Sequence, residues 1–314
     1  MRFLLRRIQS LDPQHKANGT ALAVVVSTLA FLNLECSPRP AGGDTFRVTV
    51  QKTPDVILTA QAPVETDDAS LSPEQLSERT LVRKVEMLKK GVKFLESTPD
   101  YTAQFMKREL VNGELLEEQT MAMKLRHEPF SIYLKWMDFE VGREVMYVDG
   151  VNDGKMLVHS GGWKARLPAI LMAPDCTLAM KEARYPVTRA GLLSLATTII
   201  DYNSQDLVAR NYSRCVQLDD QMVGDRSCAT FILEYFDRDS SKEYRKSVTL
   251  IDKEWCVPLY IKNFGWPGED FNQEDADLDE STLIEHYTYS DVKFRSSLSA
   301  LDFDNTNEDY NFRR

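Results

Sequence analysis

Two histidine-containing segments hold the residue types best suited to catalysis. His127 is followed by Glu128, and His159 is followed by Ser160. An imidazole beside a carboxylate or a hydroxyl could transfer protons or activate a nucleophile. Adjacent residues of an extended chain point apart, however, and the second segment lacks the G-x-S-x-G pattern of a nucleophile elbow. We therefore expect a non-catalytic protein, with a hydrolase built on His127 or His159 as an alternative.

Three acidic residues, Asp275, Asp277 and Asp279, have the opening spacing of a calcium-binding loop. The glycine that such a loop needs after its third acid is replaced by Glu280, and His286 stands where its bidentate glutamate belongs. We expect an acidic, solvated loop here, and a bound cation is the alternative. The chain holds 4 histidines in all. The sequence therefore predicts neither a metal site nor a cofactor.

The first 36 residues have the pattern of a targeting segment. The apolar run 21–32 is shorter than the roughly 20 residues of a membrane span and fits the core of an export signal. Residues 1–36 are thus predicted to be an export signal or an N-terminal membrane anchor, which places the protein in the periplasm or tethered in the cell envelope. Cys36 is a candidate for lipid attachment, although Glu35 departs from the small-residue pattern of such sites. The run follows four basic residues: Arg2, Arg6, Arg7 and Lys16.

Export would permit disulfide bonds, because the compartments outside the cytosol are oxidising. Cys215 and Cys228 flank a predicted turn over residues 219–225, and a hairpin folded there would bring them close together. We predict a disulfide between them, and two small buried apolar side chains are the alternative. Cys176 and Cys256 have no evident partner.

The composition indicates a soluble domain behind a linker. The net charge of -10 argues against nucleic acid as a partner, because phosphate binding needs clustered Lys and Arg. Proline and glycine recur over residues 37–70 with little amphipathic pattern, which predicts a flexible linker. Residues 71–314 are predicted to form one domain, and we expect a monomer.

The folded domain opens with a strong helix signal and continues in strands. Ser72 is a good N-cap, Pro73 suits the first helical position, and apolar residues then recur at helical spacing as far as Leu95. After Pro129, apolar and more polar residues alternate as far as Met137, which is typical of a strand with one buried face. Neighbouring segments alternate in the same way, and short turns join them into an antiparallel meander.

A second helix is predicted to open at Pro186 and Thr188, after an irregular stretch over residues 161–185. Five further strands follow, at residues 211–218, 228–236, 244–252, 258–265 and 283–294. So many strands must curl, because neighbouring strands twist relative to one another. The predicted fold is α+β, a curled antiparallel sheet forming an incomplete barrel that two main helices cover.

The chain contains five segments in this order: HEPFSIYLKW, GREVMYVDGVNDGK, ARYPVTRAGL, IDKEWCVPLYIKNFGWP and LIEHYTYSDVKF. Over residues 82–304 they resemble the bacterial DUF1571 family, a domain of unknown function. More distantly, the D-x-x-x-x-x-P-L-Y ending of one strand and the Tyr-x-Tyr of the following strand are similar to the lipoprotein carriers LolA and LolB. That resemblance implies an incomplete barrel lidded by helices, with an apolar cavity for acyl chains.

The family resemblance implies an envelope protein that holds an apolar ligand, the acyl chains of a lipid or lipoprotein, on the concave face of its sheet. The curled sheet expected from the strand pattern agrees with this prediction. Membrane contact is expected through the N-terminal segment. An interaction or sensing module with a solid core is the alternative function. The candidate cavity residues are Phe105, Met123, Ile132, Leu134, Trp136, Phe231, Leu233 and Tyr260.

Overall fold

A computed structural model of the chain describes residues 71–268, 271 and 277–312. The predicted targeting segment 1–36 with Cys36, the predicted linker 37–70 and Asp275 lie outside these described residues.

Twelve antiparallel strands of the described chain form one open sheet, in the order β7-β6-β5-β4-β3-β1-β12-β11-β10-β9-β8, with β2 paired to β1. This confirms the predicted α+β fold with an incomplete antiparallel barrel. The first seven strands are β1 (Asp100–Val111), β2 (Glu114–Leu115), β3 (Gln119–Arg126), β4 (Ser131–Trp136), β5 (Glu144–Val148), β6 (Met156–His159) and β7 (Ile170–Met172). The others are β8 (Tyr212–Val223), β9 (Arg226–Tyr235), β10 (Lys246–Asp252), β11 (Pro258–Phe264) and β12 (Leu283–Phe294).

Two long helices lie on the concave side of the sheet. α1 (Pro73–Glu96) starts with the capping box that Ser72 and Gln75 complete. α2 (Leu192–Ala209) starts later than predicted, because residues 187–189 form only a single 3-10 turn. A third helix, α3 (Leu278–Ser281), is a single turn.

The start of α2 is held close against the sheet. The backbone N–H of Leu192 donates a 2.9 Å hydrogen bond to the hydroxyl of Tyr101 in β1. Gly191 has a φ of 104°, and a Cβ at this position would lie 2.5 Å from a methyl carbon of Leu125. Only glycine therefore allows this approach. The packed core lies here and includes Leu88, Leu95, Tyr101, Leu125 and Leu192.

The C-terminal segment packs on the convex face of the sheet. The rings of Tyr133 and Tyr310 stack with their centroids 4.0 Å apart. The main chain and side chain of Asn311 both donate 2.8 Å hydrogen bonds to the carboxylate of Glu144, which is fully buried. This second apolar cluster contains Tyr133, Met146, Phe303, Tyr310 and Phe312.

The predicted disulfide is corrected by the register of the β8–β9 hairpin. The turn lies at residues 224–225, about three residues beyond the centre of the predicted turn. Cys215 consequently pairs with Leu233 and Cys228 pairs with Gln221, at different ends of the ladder. Both cysteines are free and buried, as in the alternative interpretation.

A buried lysine lies between the two helices and β8. Lys84 of α1 is fully buried, and its Nζ has no hydrogen-bond partner among the described residues. Burial lowers the pKa of this ammonium from 10.5 to about 8, while nearby Cys215 and Asp206 act in the opposite direction. A charge in this position costs free energy that the rest of the fold must offset.

We expect Lys84→Met to raise the free energy of unfolding by about 3 kcal/mol at pH 7, because methionine fills the same space without a buried charge. From pH 8 to 10.5 the unfolded chain binds more protons at this lysine than the folded chain. The free energy of unfolding of the wild type therefore rises over this pH range. The difference in this free energy between Lys84→Met and the wild type should fall to zero near pH 10.5.

Urea denaturation at pH 7 and pH 10 measures this difference. Lys89→Met, which removes an exposed lysine from the same helix, is the control and should change little. A Lys84→Met variant less stable than the wild type at pH 7 contradicts the prediction.

Candidate functional site

A cavity of about 360 Å³ lies between the concave face of the sheet, α2 and the connection over residues 160–191. It occupies the far end of the strands from the packed core: Lys107 and Gln119 line it, whereas Tyr101 and Leu125 lie under the start of α2. Ligand pockets in proteins usually measure about 300–1,000 Å³, so the space suits one narrow molecule.

One side of the cavity is apolar. It is formed by strands β3 to β7, whose inward side chains alternate with those of the convex face. Trp136 fixes this wall, because its Nε1 donates a 2.9 Å hydrogen bond to Gln119 and the guanidinium of Arg143 lies 4.8 Å from its ring. The inward side chains of this wall are Met121, Leu134, Trp136, Val145, Met156, Val158, Ile170 and Met172.

The other side of the cavity is polar and is organised around Glu285 of β12. This carboxylate accepts hydrogen bonds from Asn263 (2.6 Å), Tyr244 (3.1 Å) and Arg184 (3.1 Å). The guanidinium of Arg184 also pairs with Glu243. Burial raises the pKa of Glu285, and the bonds from Asn263, Arg184 and Tyr244 oppose that effect.

A second buried carboxylate, Glu109 of β1, lies beside the first. It accepts a 2.5 Å hydrogen bond from the hydroxyl of Tyr287 and forms a 2.8 Å ion pair with Lys107. Burial and the two carboxylates Glu285 and Glu109 raise the pKa of Tyr287 well above its ordinary value. The phenol therefore stays protonated and acts as a hydrogen-bond donor in this wall.

Two acceptor atoms in the polar wall are unsatisfied. The Oδ1 atoms of Asn263 and Asn203 are buried, and neither has a hydrogen-bond partner among the described residues. Both side chains line the cavity. Buried polar atoms are normally paired, so a hydroxyl or amide of a bound molecule would meet a free acceptor here.

Residues 182–185, the strap, close the cavity over β1 and β5. Lys107 donates a 2.9 Å hydrogen bond to the carbonyl oxygen of Glu182, and Arg143 pairs with the Glu182 carboxylate at 2.5 Å. Arg184 reaches from the strap to the acidic side chains of the polar wall. The strap is therefore held by these charged pairs, in addition to the packing of Tyr185 against the apolar core.

Three of the predicted cavity residues, Phe105, Leu134 and Trp136, line the cavity. Four others share the concave face but are almost fully enclosed by packed side chains: Met123, Ile132, Phe231 and Leu233. Tyr260 points to the convex face, where its ring lies 4.7 Å from that of His286. Periodicity assigned a common face to seven of the eight but did not separate core from cavity.

Each of the two candidate catalytic histidines bonds to the main chain. His127 Nδ1 lies 2.7 Å from the carbonyl oxygen of Thr98, and His159 Nε2 lies 3.1 Å from that of Ala165. The other ring nitrogen of each has no partner among the described residues. Neither residue lines the cavity.

The acidic residues near α3 have structural partners. Asp277 caps α3, and Asp279 pairs with Arg245 and, at 2.6 Å, with Lys246. Asp275 lies outside the described residues. No group of three or more potential metal ligands occurs in the part of the chain that the structure describes.

A family model matches residues 98–312, which is more than half of the chain, and describes the family as "Protein of unknown function (DUF1571)". The chain belongs to the DUF1571 family. This confirms the family resemblance seen in the separated sequence motifs. No curated protein matches the chain.

Solved structures that match the chain include a lipoprotein, a LolA superfamily protein and MucB. The lipoprotein LppX of Mycobacterium tuberculosis is 9% identical, with 71% of this chain and 99% of that chain covered and a TM-score of 0.41. A LolA superfamily protein from Nitrosomonas europaea is 13% identical, with 70% and 96% covered and a TM-score of 0.27. MucB in the Pseudomonas aeruginosa MucA/MucB complex is 12% identical, with 71% and 60% covered and a TM-score of 0.39. At such low identity these matches concern the fold alone.

The polar wall was missed by sequence reasoning. Glu109, Arg184 and Glu285 are separated by 75 and 101 positions, and no motif connects them. The alternation of Glu285 and Tyr287 in one strand was the available signal, since it places two polar groups on one face.

We expect Arg184→Met to lower the free energy of unfolding by about 3 kcal/mol, because it leaves the buried Glu285 without its counter-ion. Urea denaturation measures the loss, and adding Glu285→Gln should restore part of it. Arg210→Met is the control: its partner Glu78 is exposed, so a change below about 0.5 kcal/mol is expected. Equal stability of Arg184→Met and Arg210→Met would contradict a structural role for the Arg184 pair.

Proposed function

We propose that this protein is a non-catalytic carrier that binds a single acyl chain of a lipid or lipoprotein in the cavity under α2. The observation that supports this most is the division of the cavity into an apolar wall and a polar wall. An acyl chain against the apolar wall would gain about 0.8 kcal/mol for each buried methylene. No cofactor takes part in this function.

The two walls also orient the ligand. Its chain would lie along Leu134, Val145 and Val158, and its polar end would face Asn263 and Tyr287. Tyr287 donates to Glu109, while the Oδ1 of Asn263 is free to accept. A polar end with an N–H or O–H donor, such as an amide, a hydroxyl or a carboxylic acid kept protonated by the nearby carboxylates, would satisfy that atom. A ligand without a donor would leave it unpaired.

Ligand entry would require the strap to move. The strap is held to the sheet by the pairs of Arg143 and Arg184, and its side chains Ala183 and Tyr185 line the cavity. The carboxylate of Glu182 is half-exposed, so its pair with Arg143 closes the cavity without sealing it permanently. The carrier would then take up and release chains by opening at this segment.

The proposed location is the cell envelope, either periplasmic or tethered through residues 1–36. The charged leader followed by an apolar run supports export. None of the helices in the described part of the chain has both the length and the apolar character needed to cross a bilayer. We propose that the domain works as a monomer.

Filling the cavity tests this function. Ser194 lies on α2 and lines the cavity, so Ser194→Trp should displace at least two methylenes and weaken binding about tenfold or more. Binding of a dansyl-labelled fatty acid to the full chain, measured by fluorescence titration, gives the affinity. Native mass spectrometry of the purified wild type should show a bound lipid that is absent from Ser194→Trp.

Val208→Trp is the matched control. Val208 lies on the same helix, is 89% exposed and is outside the cavity. It should bind the probe as the wild type does. If the wild type binds neither the probe nor a native lipid, the carrier function is wrong and an interaction module becomes the better interpretation.

A further inference from the structure

A patch of exposed apolar side chains surrounds one mouth of the cavity. The most exposed is Trp163, at 85%. Single exposed apolar residues are normal, but a contiguous group on a folded domain usually marks a binding surface. The members of this mouth patch are Phe139, Val141, Trp163, Leu167, Ile170 and Leu178.

Backbone contacts join the parts of the mouth patch. The N–H of Gly162 donates a 3.1 Å hydrogen bond to the carbonyl oxygen of Val141, which links the β4–β5 loop to the segment that carries Trp163. Ile170 follows on the edge strand β7. Ile170 and Leu178 also line the cavity, so the patch and the apolar wall are continuous.

The charge around the mouth patch is opposite to that of the whole protein. The two segments that carry the patch, 138–143 and 161–190, together hold six basic and four acidic residues, whereas the net charge of the chain is -10. Four of the basic residues are exposed: Lys164, Arg166, Lys181 and Arg189. Trp163 lies next to them, with the Nζ of Lys164 5.6 Å from its ring. Exposed tryptophan and leucine beside lysine and arginine are typical of surfaces that lie at an anionic membrane interface.

We propose that the mouth patch docks on the surface of an anionic lipid bilayer. Its apolar side chains enter the headgroup region, and Arg166 and Lys181 contact anionic headgroups. The outer edge of β7 has no strand partner among the described residues. Its backbone groups stay hydrated at headgroup depth, which deeper insertion would prevent.

Docking in this orientation gives the carrier a route for its ligand. When the strap opens, an acyl chain passes from the bilayer along Ile170 and Leu178 into the cavity without crossing water. This step rests on the proposed function, whereas the docking itself rests on the exposed side chains and their charge.

The test uses the full chain and the fluorescence of its own tryptophan. The protein is added to vesicles of phosphatidylcholine and phosphatidylglycerol that contain a lipid with brominated chains. Comparing the wild type with Trp163→Phe isolates the emission of Trp163. We expect this emission to shift to shorter wavelength and to be quenched. Because the readout is local to Trp163, it does not depend on how residues 1–70 meet the vesicle.

Charge variants test the choice of anionic lipid. Arg166→Glu combined with Lys181→Glu should remove most of the quenching, and so should vesicles of phosphatidylcholine alone or raised salt. Lys89→Glu combined with Lys90→Glu makes the same change of net charge on the exposed face of α1 and should leave the quenching unchanged.

The outcomes distinguish docking on the bilayer from binding of an acyl chain in the cavity. An unquenched Trp163 in a protein that binds the dansyl-labelled fatty acid overturns the docking alone. A quenched Trp163 in a protein that binds no fatty acid supports docking and removes the carrier function. An unquenched Trp163 together with protection of the β7 amides by an added protein would indicate a partner strand at this edge and overturn the bilayer as the occupant.

Discussion

The width of the antiparallel sheet is the constraint on which the rest of the structure depends. A sheet of this many strands twists and presents a concave face larger than two helices can fill. α1 and α2 pack where Tyr101 and Leu125 pair. The opposite end of β1 and β3, at Lys107 and Gln119, faces the cavity. The candidate site is therefore the part of the concave face that the two helices leave unfilled.

Charged side chains then determine how this unfilled end of the concave face is closed. Arg184 bonds to Glu285 and Glu243 and also to the main-chain oxygen of Leu110. One side chain thus joins β1, β12 and the segment before β10 to the strap. Opening this closure would separate Arg184 from the buried Glu285, which costs free energy, but it leaves the core under α1 intact. The packed end of the domain is held by apolar contacts, and the end that opens adds charged pairs to such contacts.

Much of the fold was predictable because its signals are local. The capping box at Ser72 and the alternation after Pro129 gave α1 and β4 directly. The predictions were wrong where a contact between residues far apart in the sequence determines the local structure. The start of α2 is set by the approach of Gly191 to β1 and β3, and the hairpin register that separates Cys215 from Cys228 is set by a turn at residues 224–225.

The candidate site was less predictable than the fold. Alternation placed Met123 and Leu134 on one face, but the helices above them decide that Met123 is enclosed and Leu134 lines a space. Three partners of Glu285 come from three separate parts of the chain. A period of two residues carries no information on such long-range proximity.

The C-terminal segment affects how deletion phenotypes of this protein should be interpreted. Tyr310 covers Tyr133 on the convex side, and Asn311 satisfies the buried Glu144. Deleting residues 303–312 would remove the aromatic side chains that cover the convex face of the sheet and would leave the buried carboxylate of Glu144 unpaired. A null phenotype from such an allele would reflect proteolysis or aggregation in the cell, and it would say nothing about what the front of the sheet carries.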